Sequence, residues 1–269
     1  MKGKAIYQPE GAAAEYAKYA CNFYKGCSNS CTYCYCNRWK WGNTPTLKKC
    51  FKDEDHALAV FEKELKENLP ELQKYGLFFS FTTDPLIEET WGITFEALRL
   101  CVLYSVNAKV LTKSVIWLHK TYSFGKSPFV EYFNIQEWKK YIAVGFTLTG
   151  RDELEPNAST NAERIEAMKK LHDEGFKTFV SAEPIIDFKS SKDVMCAVMD
   201  TCELYKIGLK SGKKYDKSEL REFVEWVISY NRKKCAKFYF KDNLLAQAGI
   251  TRDQLPANCV DRDYNMFNN

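Results

Sequence analysis

The chain has 269 residues, 45% of them apolar and 15% aromatic, with a formal net charge of +4. That balance suits a globular chain with a sizeable core and excludes a disordered or collagen-like one. No run of about 18 apolar residues offers a membrane span. Eleven cysteines form an odd set in a long chain whose opening, MKGKAIYQPEGAAAEYAKYA, lacks the apolar stretch of a secretory signal. A disulfide framework is therefore not expected, and a reducing, cytoplasmic setting is. The charge is unevenly spread: residues 203–241 hold eleven Lys/Arg against five Asp/Glu. A solvated helix surface explains that excess, and a basic face for phosphates is the alternative.

The first motif in chain order is Cys27, Cys31 and Cys34, a C-x3-C-x2-C run inside NFYKGCSNSCTYCYC. Three thiolates at this spacing can hold three irons of a [4Fe–4S] cube and leave the fourth iron without a protein ligand. An open iron points to chemistry rather than electron carriage. Structural zinc needs four ligands, and the three histidines, His56, His119 and His172, lie far along the chain.

Beyond the motif, helical and strand-like segments alternate. A helical period runs over 56–69, and Pro70 is read as its stop. Residues 77–83 form a short apolar strand, 94–106 a helix, 108–114 a strand, and 115–122 a third helix. An irregular excursion surrounds Gly125, Pro128 and Asn134. A strand over 141–149 precedes a helix over 161–175 closed by Gly175. A strand over 177–186, a helix near 191–202, a strand over 204–211, a long amphipathic helix over 216–235 and a last strand over 237–242 follow. This alternation predicts about six βα units and a parallel sheet. Six units are too few for a closed eight-stranded barrel. Residues 1–241 are expected to form one domain, with a cysteine loop over 21–41, and 242–269 an appended tail packed on it.

In a parallel sheet, polar residues at C-terminal strand ends line the mouth. Those positions hold Thr82, Thr83 and Asp84, then Thr112 and Lys113, then Thr147 and Thr149 with Arg164 on the next helix, then Glu183, then Lys210. Each alone is also an ordinary turn or cap residue. Cys196, Cys202, Cys235 and Cys259 are the one loose grouping that could hold an auxiliary cluster.

The run C-x3-C-x-aromatic-C, with Gly26 before its first cysteine, resembles the signature of the radical S-adenosylmethionine (SAM) superfamily. The words YKGCSNSCTYCYC, FTTDPLIEET, VLTKS, LEPNAS followed by Arg164, and SAEPII resemble its spore photoproduct lyase-like, or DNA repair photolyase-like, branch. The likeness runs from about Ala20 to Gly212. It implies an α/β fold: a partial, open (β/α)6 TIM-like barrel with parallel strands and a short C-terminal extension. It implies a [4Fe–4S] cluster on Cys27, Cys31 and Cys34, with SAM chelating the open iron. Tyr33 would flank the adenine, and Thr83, Asp84, Lys113, Thr147, Thr149 and Arg164 are candidate SAM contacts. A flavodoxin- or ferredoxin-type donor would reduce the cluster, and SAM cleavage would give a 5′-deoxyadenosyl radical for hydrogen abstraction. The substrate is left open between nucleic acid and a small molecule or peptide, and a non-catalytic iron–sulfur or zinc module is the remaining class. One departure stands out. GLFFSFTTDP contains no cysteine where true spore photoproduct lyases place a hydrogen donor, which counts against thymine-dimer repair.

Overall fold

A computed structural model describes residues 4–39, 46–119, 136–230 and 236–268. Its centre is an eight-stranded sheet whose strands lie side by side in chain order. β1 (Ile6–Tyr7) pairs antiparallel with β2 (Ala20–Cys21). β5 (Leu77–Phe79), β6 (Ala108–Thr112), β7 (Ile142–Thr147), β8 (Lys177–Ile185), β9 (Leu204–Leu209) and β10 (Lys237–Phe240) then extend it in parallel. A separate two-stranded ribbon joins β3 (Tyr24–Lys25) to β4 (Lys48–Lys49).

The helices are α1 (Glu54–Glu67), α2 (Leu69–Tyr75), α3 (Trp91–Leu103), α4 (Ile116–His119), α5 (Gln136–Tyr141), α6 (Asn161–Asp173), α7 (Phe188–Ala197), α8 (Lys217–Tyr230) and α9 (Asp242–Ala248). Local chemistry fixes several of their starts. Asp53 accepts the His56 N–H at 2.8 Å, with Glu54 and Asp55 in the first turn of α1, where the helix dipole favours negative charge. Thr160 and Glu163 form a reciprocal capping box on α6. Pro70 does not simply end a helix, as its sequence position suggested. It occupies the first turn of α2, where its missing N–H has no helical partner to lose. The C-terminal extension opens with a helix over Asp242–Ala248. The strands β1, β3 and β4 were not anticipated, since two-residue strands leave no periodic pattern. The excursion around Gly125 to Asn134 lies outside the described residues.

Both faces of the sheet are buried. The larger core lies against the helices and includes Phe61, Phe79, Cys101, Trp117, Met168 and Phe223. A second core on the opposite face gathers Ala20, Phe78, Ala143, Phe179, Leu204 and Tyr239 from six strands, with Tyr16 and Met266. Tyr16 packs on Phe78 of β5 with ring centroids 5.4 Å apart. The Lys241 ammonium, just past β10, sits 4.9 Å from the same ring. Laid flat, β5 and β10 would stand five strand spacings apart, about 24 Å. The sheet is therefore rolled around the segment that carries Tyr16. No ladder joins β1 to β10 among the described residues.

That segment is held by charge. Lys109 Nζ donates to the Tyr16 carbonyl at 3.0 Å, and Lys206 donates to the Glu15 and Tyr16 carbonyls. Lys241 pairs with Glu183 at 2.9 Å and Glu15 at 3.5 Å. The Tyr16 hydroxyl donates to Glu183 at 2.7 Å. Gly208 lies beneath the Lys241–Glu183 pair; a Cβ there would stand 2.7 Å from both side chains. Among the described residues, no helix is long and apolar enough to cross a membrane.

Candidate metal centre

The cysteine loop leaves β3 through Gly26, whose φ of +89° suits glycine, and whose N–H donates to the Thr82 carbonyl at 3.1 Å. Three strand ends grip the loop. After β5, Asp84 accepts from Asn29 Nδ2 at 2.8 Å, and the Phe81 carbonyl accepts from the Tyr35 hydroxyl and, at 3.7 Å, from Cys36 Sγ. After β7, the Leu154 carbonyl accepts the Thr32 N–H at 2.9 Å, and Asn157 Nδ2 donates to the Ser28 carbonyl at 2.9 Å. After β9, the Ser211 carbonyl accepts from Arg38 at 3.1 Å. The cysteines are thus placed at the C-terminal edge of the parallel sheet.

Asp84 is the central fastener. Besides Asn29 it accepts from the Thr112 hydroxyl at 2.7 Å, the Lys113 N–H at 2.7 Å and the Leu86 N–H at 3.0 Å. Its two oxygens thereby tie the cysteine loop to the ends of β5 and β6. Behind Cys31, the Tyr33 hydroxyl donates to Glu155, and Glu155 pairs with Arg164. Both members of that ion pair are 0% exposed. Arg164 also donates to the carbonyls of Thr147 and Thr160 and has the Asp152 carboxylate 3.8 Å away, so this buried cation is both paired and hydrogen-bonded.

Lys113 differs. Its ammonium lies 5.8 Å from the Tyr33 ring centroid and bonds no acceptor among the described residues. Burial works against its charge, but Cys31, Glu155 and Asp84 outweigh burial and hold its pKa above the ordinary lysine range. Burial pushes the Cys27 thiol up to about 12, with Asp84 adding to the effect, and burial also raises Cys31. Cys34 moves the other way, to about 6, chiefly through a hydrogen bond with Cys36.

Cys27, Cys31, Cys34, Tyr33, Asp84 and Lys113 therefore share one neighbourhood, with Arg164 joined to it through Glu155. Thr147 contributes its carbonyl to Arg164. The Thr149 hydroxyl accepts the Arg151 N–H at 3.2 Å and its own N–H bonds Asn161 at 3.0 Å, a local capping role. The Thr83 hydroxyl is buried without a partner among the described residues, and its side chain lines a small cavity with Cys21, Phe79 and Thr94. Sequence reasoning missed Glu155 and Asn29. Both sit inside words already singled out, LEPNAS and CSNSC, yet their roles depend on contacts made far along the chain. Among the described residues, Cys196, Cys202 and Cys259 form no metal-holding group; Cys235 lies outside them.

No family model matches the chain, and no solved structure matches it. An uncharacterized protein of Methanocaldococcus jannaschii is 28% identical over 189 residues, 63% of this chain. The chain spans 61% of that relative's length.

Proposed function

We propose that the chain is a radical SAM enzyme, with a [4Fe–4S] cluster on Cys27, Cys31 and Cys34, that abstracts hydrogen from its substrate. The observation that carries this reading is the surroundings of the cysteine loop: three thiols on one short loop beside Lys113, an ammonium without an acceptor among the described residues. Among the described residues no three Cys, His, Asp or Glu side chains are grouped to hold a metal ion. A nearby cation offsets the negative charge of thiolates or of a carboxylate. When bound, the cluster and SAM supply one-electron cleavage of a sulfonium and the hydrogen-abstracting species.

The chain's own residues position and shield that chemistry. Asp84 and Asn29 fasten the loop, Glu155 fixes the Tyr33 ring, and Arg164 neutralises Glu155 where water cannot. Lys113 is placed to bind a carboxylate. The rolled, open sheet with strands in chain order supports a partial (β/α)6 barrel with its mouth at the cysteine end. A flavodoxin- or ferredoxin-type electron donor and a cytoplasmic setting belong to the same reading. A nucleic-acid substrate is favoured by Tyr35 and Trp39, 41% and 45% exposed beside the last cysteine, with Arg38 between them. Exposed aromatic faces and cations together suit stacked bases and phosphates.

The test is anaerobic reconstitution with iron and sulfide, followed by dithionite and SAM. Formation of 5′-deoxyadenosine is expected. An intact cluster without cleavage overturns the enzyme reading, and zinc in place of iron in purified protein supports a non-catalytic module. Salt-sensitive binding of oligonucleotides separates the nucleic-acid substrate from a small molecule or peptide.

A further inference from the structure

Cys36 is the cysteine of the loop that the C-x3-C-x2-C spacing leaves over. It follows Cys34 by two residues, on a tight helical turn, Tyr35–Arg38, for which Cys34 is the N-cap. Backbone bonds close that turn: the Asn37 N–H donates to the Cys34 carbonyl at 3.1 Å, and the Trp39 N–H to the Cys36 carbonyl at 3.0 Å. Tyr35, between the two cysteines, is anchored by its hydroxyl on the Phe81 carbonyl. The two thiols meet beside it. Cys34 and Cys36 are hydrogen-bonded to each other, and Cys36 Sγ also donates to the Phe81 carbonyl at 3.7 Å. A disulfide spans Cα atoms about 4.4–6.8 Å apart. Two steps along a chain reach at most about 7.6 Å, and a turn shortens that span, so the pair is within bonding range. Exposure divides the roles. Cys34 is partly exposed and Cys36 is buried, so an oxidant from solvent meets Cys34 first, with Cys36 behind it as a resolving thiol.

We propose that Cys34 and Cys36 form a reversible disulfide in the cluster-free chain, and that this bond gates cluster uptake. The gate rests on the radical SAM reading, which makes Cys34 a ligand; the disulfide itself does not. The oxidant is a hydroperoxide. The Cys34 sulfur attacks one peroxide oxygen and the O–O bond breaks, giving a sulfenic acid and, from hydrogen peroxide, one water. The Cys36 sulfur then displaces the sulfenic oxygen, which leaves with a proton as a second water. Two thiols thus lose two hydrogens and two electrons, one S–S bond forms, and the peroxide is reduced to two waters. A dithiol reverses the bond by exchange. The disulfide leaves Cys27 and Cys31 as the free members of the triplet, too few to hold a cube. A bound cluster in turn engages Cys34, so cluster and disulfide exclude each other. The bond also stops Cys34 at a reversible stage, ahead of sulfinic acid.

The test uses the full chain as apoprotein, reduced with dithiothreitol, freed of it and exposed to hydrogen peroxide. Remaining thiols are blocked, and the chain is cut after Lys25, Tyr33, Tyr35 and Arg38, which separates Cys34 from Cys36 and both from Cys27 and Cys31. The expected product is the fragment Cys34–Tyr35 joined to Cys36–Asn37–Arg38, lighter than the two apart by the mass of two hydrogen atoms. The initial rate of iron uptake, measured anaerobically with sulfide and no dithiol, is lost in the oxidised chain and recovers after dithiothreitol. Cys36→Ser keeps a donor for the Phe81 carbonyl and takes up iron like the reduced protein. After peroxide its loss persists through dithiothreitol, because Cys34 lacks a resolving partner and proceeds to sulfinic acid. Cys34 joined to Cys27 or Cys31, or oxidised without a partner in the unsubstituted chain, overturns the proposal, and this map does not depend on how the variant folds. Equal recovery in Cys36→Ser and the unsubstituted chain overturns it too. If the reduced, unsubstituted chain takes up no iron, the radical SAM reading and the gate fail together, and the peptide map still decides the disulfide.

Discussion

Glu155→Gln should be among the most damaging single changes near the cysteine loop. Glu155 and Arg164 are both 0% exposed, and Glu155 also accepts the Tyr33 hydroxyl. Removing one charge from a buried pair typically costs about 3–5 kcal/mol, because the other charge is left in the interior. The carbonyls of Thr147 and Thr160 still accept from Arg164, and the Asp152 carboxylate stands 3.8 Å from it, which places the loss at the lower end, about 3 kcal/mol. Against a typical stability of about 5–15 kcal/mol, that is a large fraction. Denaturant unfolding of the apoprotein gives the number directly, and iron content after reconstitution reports the loop. Arg164→Met in the same chain removes the stranded cation and should recover part of the loss, with a coupling of at least about 1 kcal/mol. Tyr33→Phe deletes only a donor and should cost about 1 kcal/mol. A Glu155→Gln loss below about 1 kcal/mol, or a double variant whose loss is the simple sum, would refute the claim that this pair anchors the loop.

Cys31→Ala should abolish both bound iron and 5′-deoxyadenosine formation, and unchanged iron content would refute its assignment as a ligand. In Asp84→Asn, an amide NH2 replaces one of two oxygens, of which Oδ1 accepts from Leu86 and Thr112 and Oδ2 from Asn29 and Lys113, with a stability loss of about 1–3 kcal/mol and poorer iron loading; calorimetry and iron assay check both. Gly208→Ala drives a methyl into the Glu183–Lys241 pair and should cost about 1–3 kcal/mol, read from the shift in denaturation midpoint. Burial lowers the Lys109 pKa to about 8, against about 10.4 in an unfolded chain. The unfolded state then binds more protons between those values, so stability contributed by this site rises with pH from about 8 to about 10.4 and is lost below. The difference between the unsubstituted protein and Lys109→Met over that range isolates the effect, and a flat difference would contradict it.

The parallel architecture was legible because each long segment carried its own period. The buried runs of β7 and β9 and the helical spacing of α6 are local properties of the chain. The cysteine triplet was visible for the same reason, as a spacing within eight consecutive residues. Two kinds of feature were hidden. The first is the short strand, since two residues cannot express a period, and β3 and β4 form only because the register closes across residues 26–47. The second is the long-range polar contact. Nothing local marks Asn29 as a partner of Asp84, or Glu155 as the acceptor of Tyr33, because each contact joins parts of the chain far apart in sequence. Arg164 shows the limit clearly. Its position on the helix after β7 suggested a ligand contact, while the fold turns it toward Glu155 and two backbone carbonyls.

That turn has a consequence for how the two charged networks divide the molecule. On the cysteine side, Lys113 is the cation without an acceptor among the described residues, while Arg164 is spent on Glu155. On the sheet's inner face, Lys109, Lys206 and Lys241 are spent on the segment carrying Glu15 and Tyr16. A ligand carboxylate at the mouth would therefore meet the half-buried Lys113 before any buried cation, because displacing Arg164 or Lys241 would strand Glu155 or Glu183. Lys113→Met should consequently weaken SAM binding while leaving iron content close to that of the unsubstituted protein. Loss of a charge-assisted hydrogen bond costs about 1.5–3 kcal/mol, which corresponds to about 10- to 150-fold in Kd. Equilibrium dialysis of SAM against the reconstituted, oxidised protein measures that ratio. Equal affinities in the two proteins would move the carboxylate site elsewhere, and a parallel loss of iron would show that Lys113 serves the cysteines rather than the ligand.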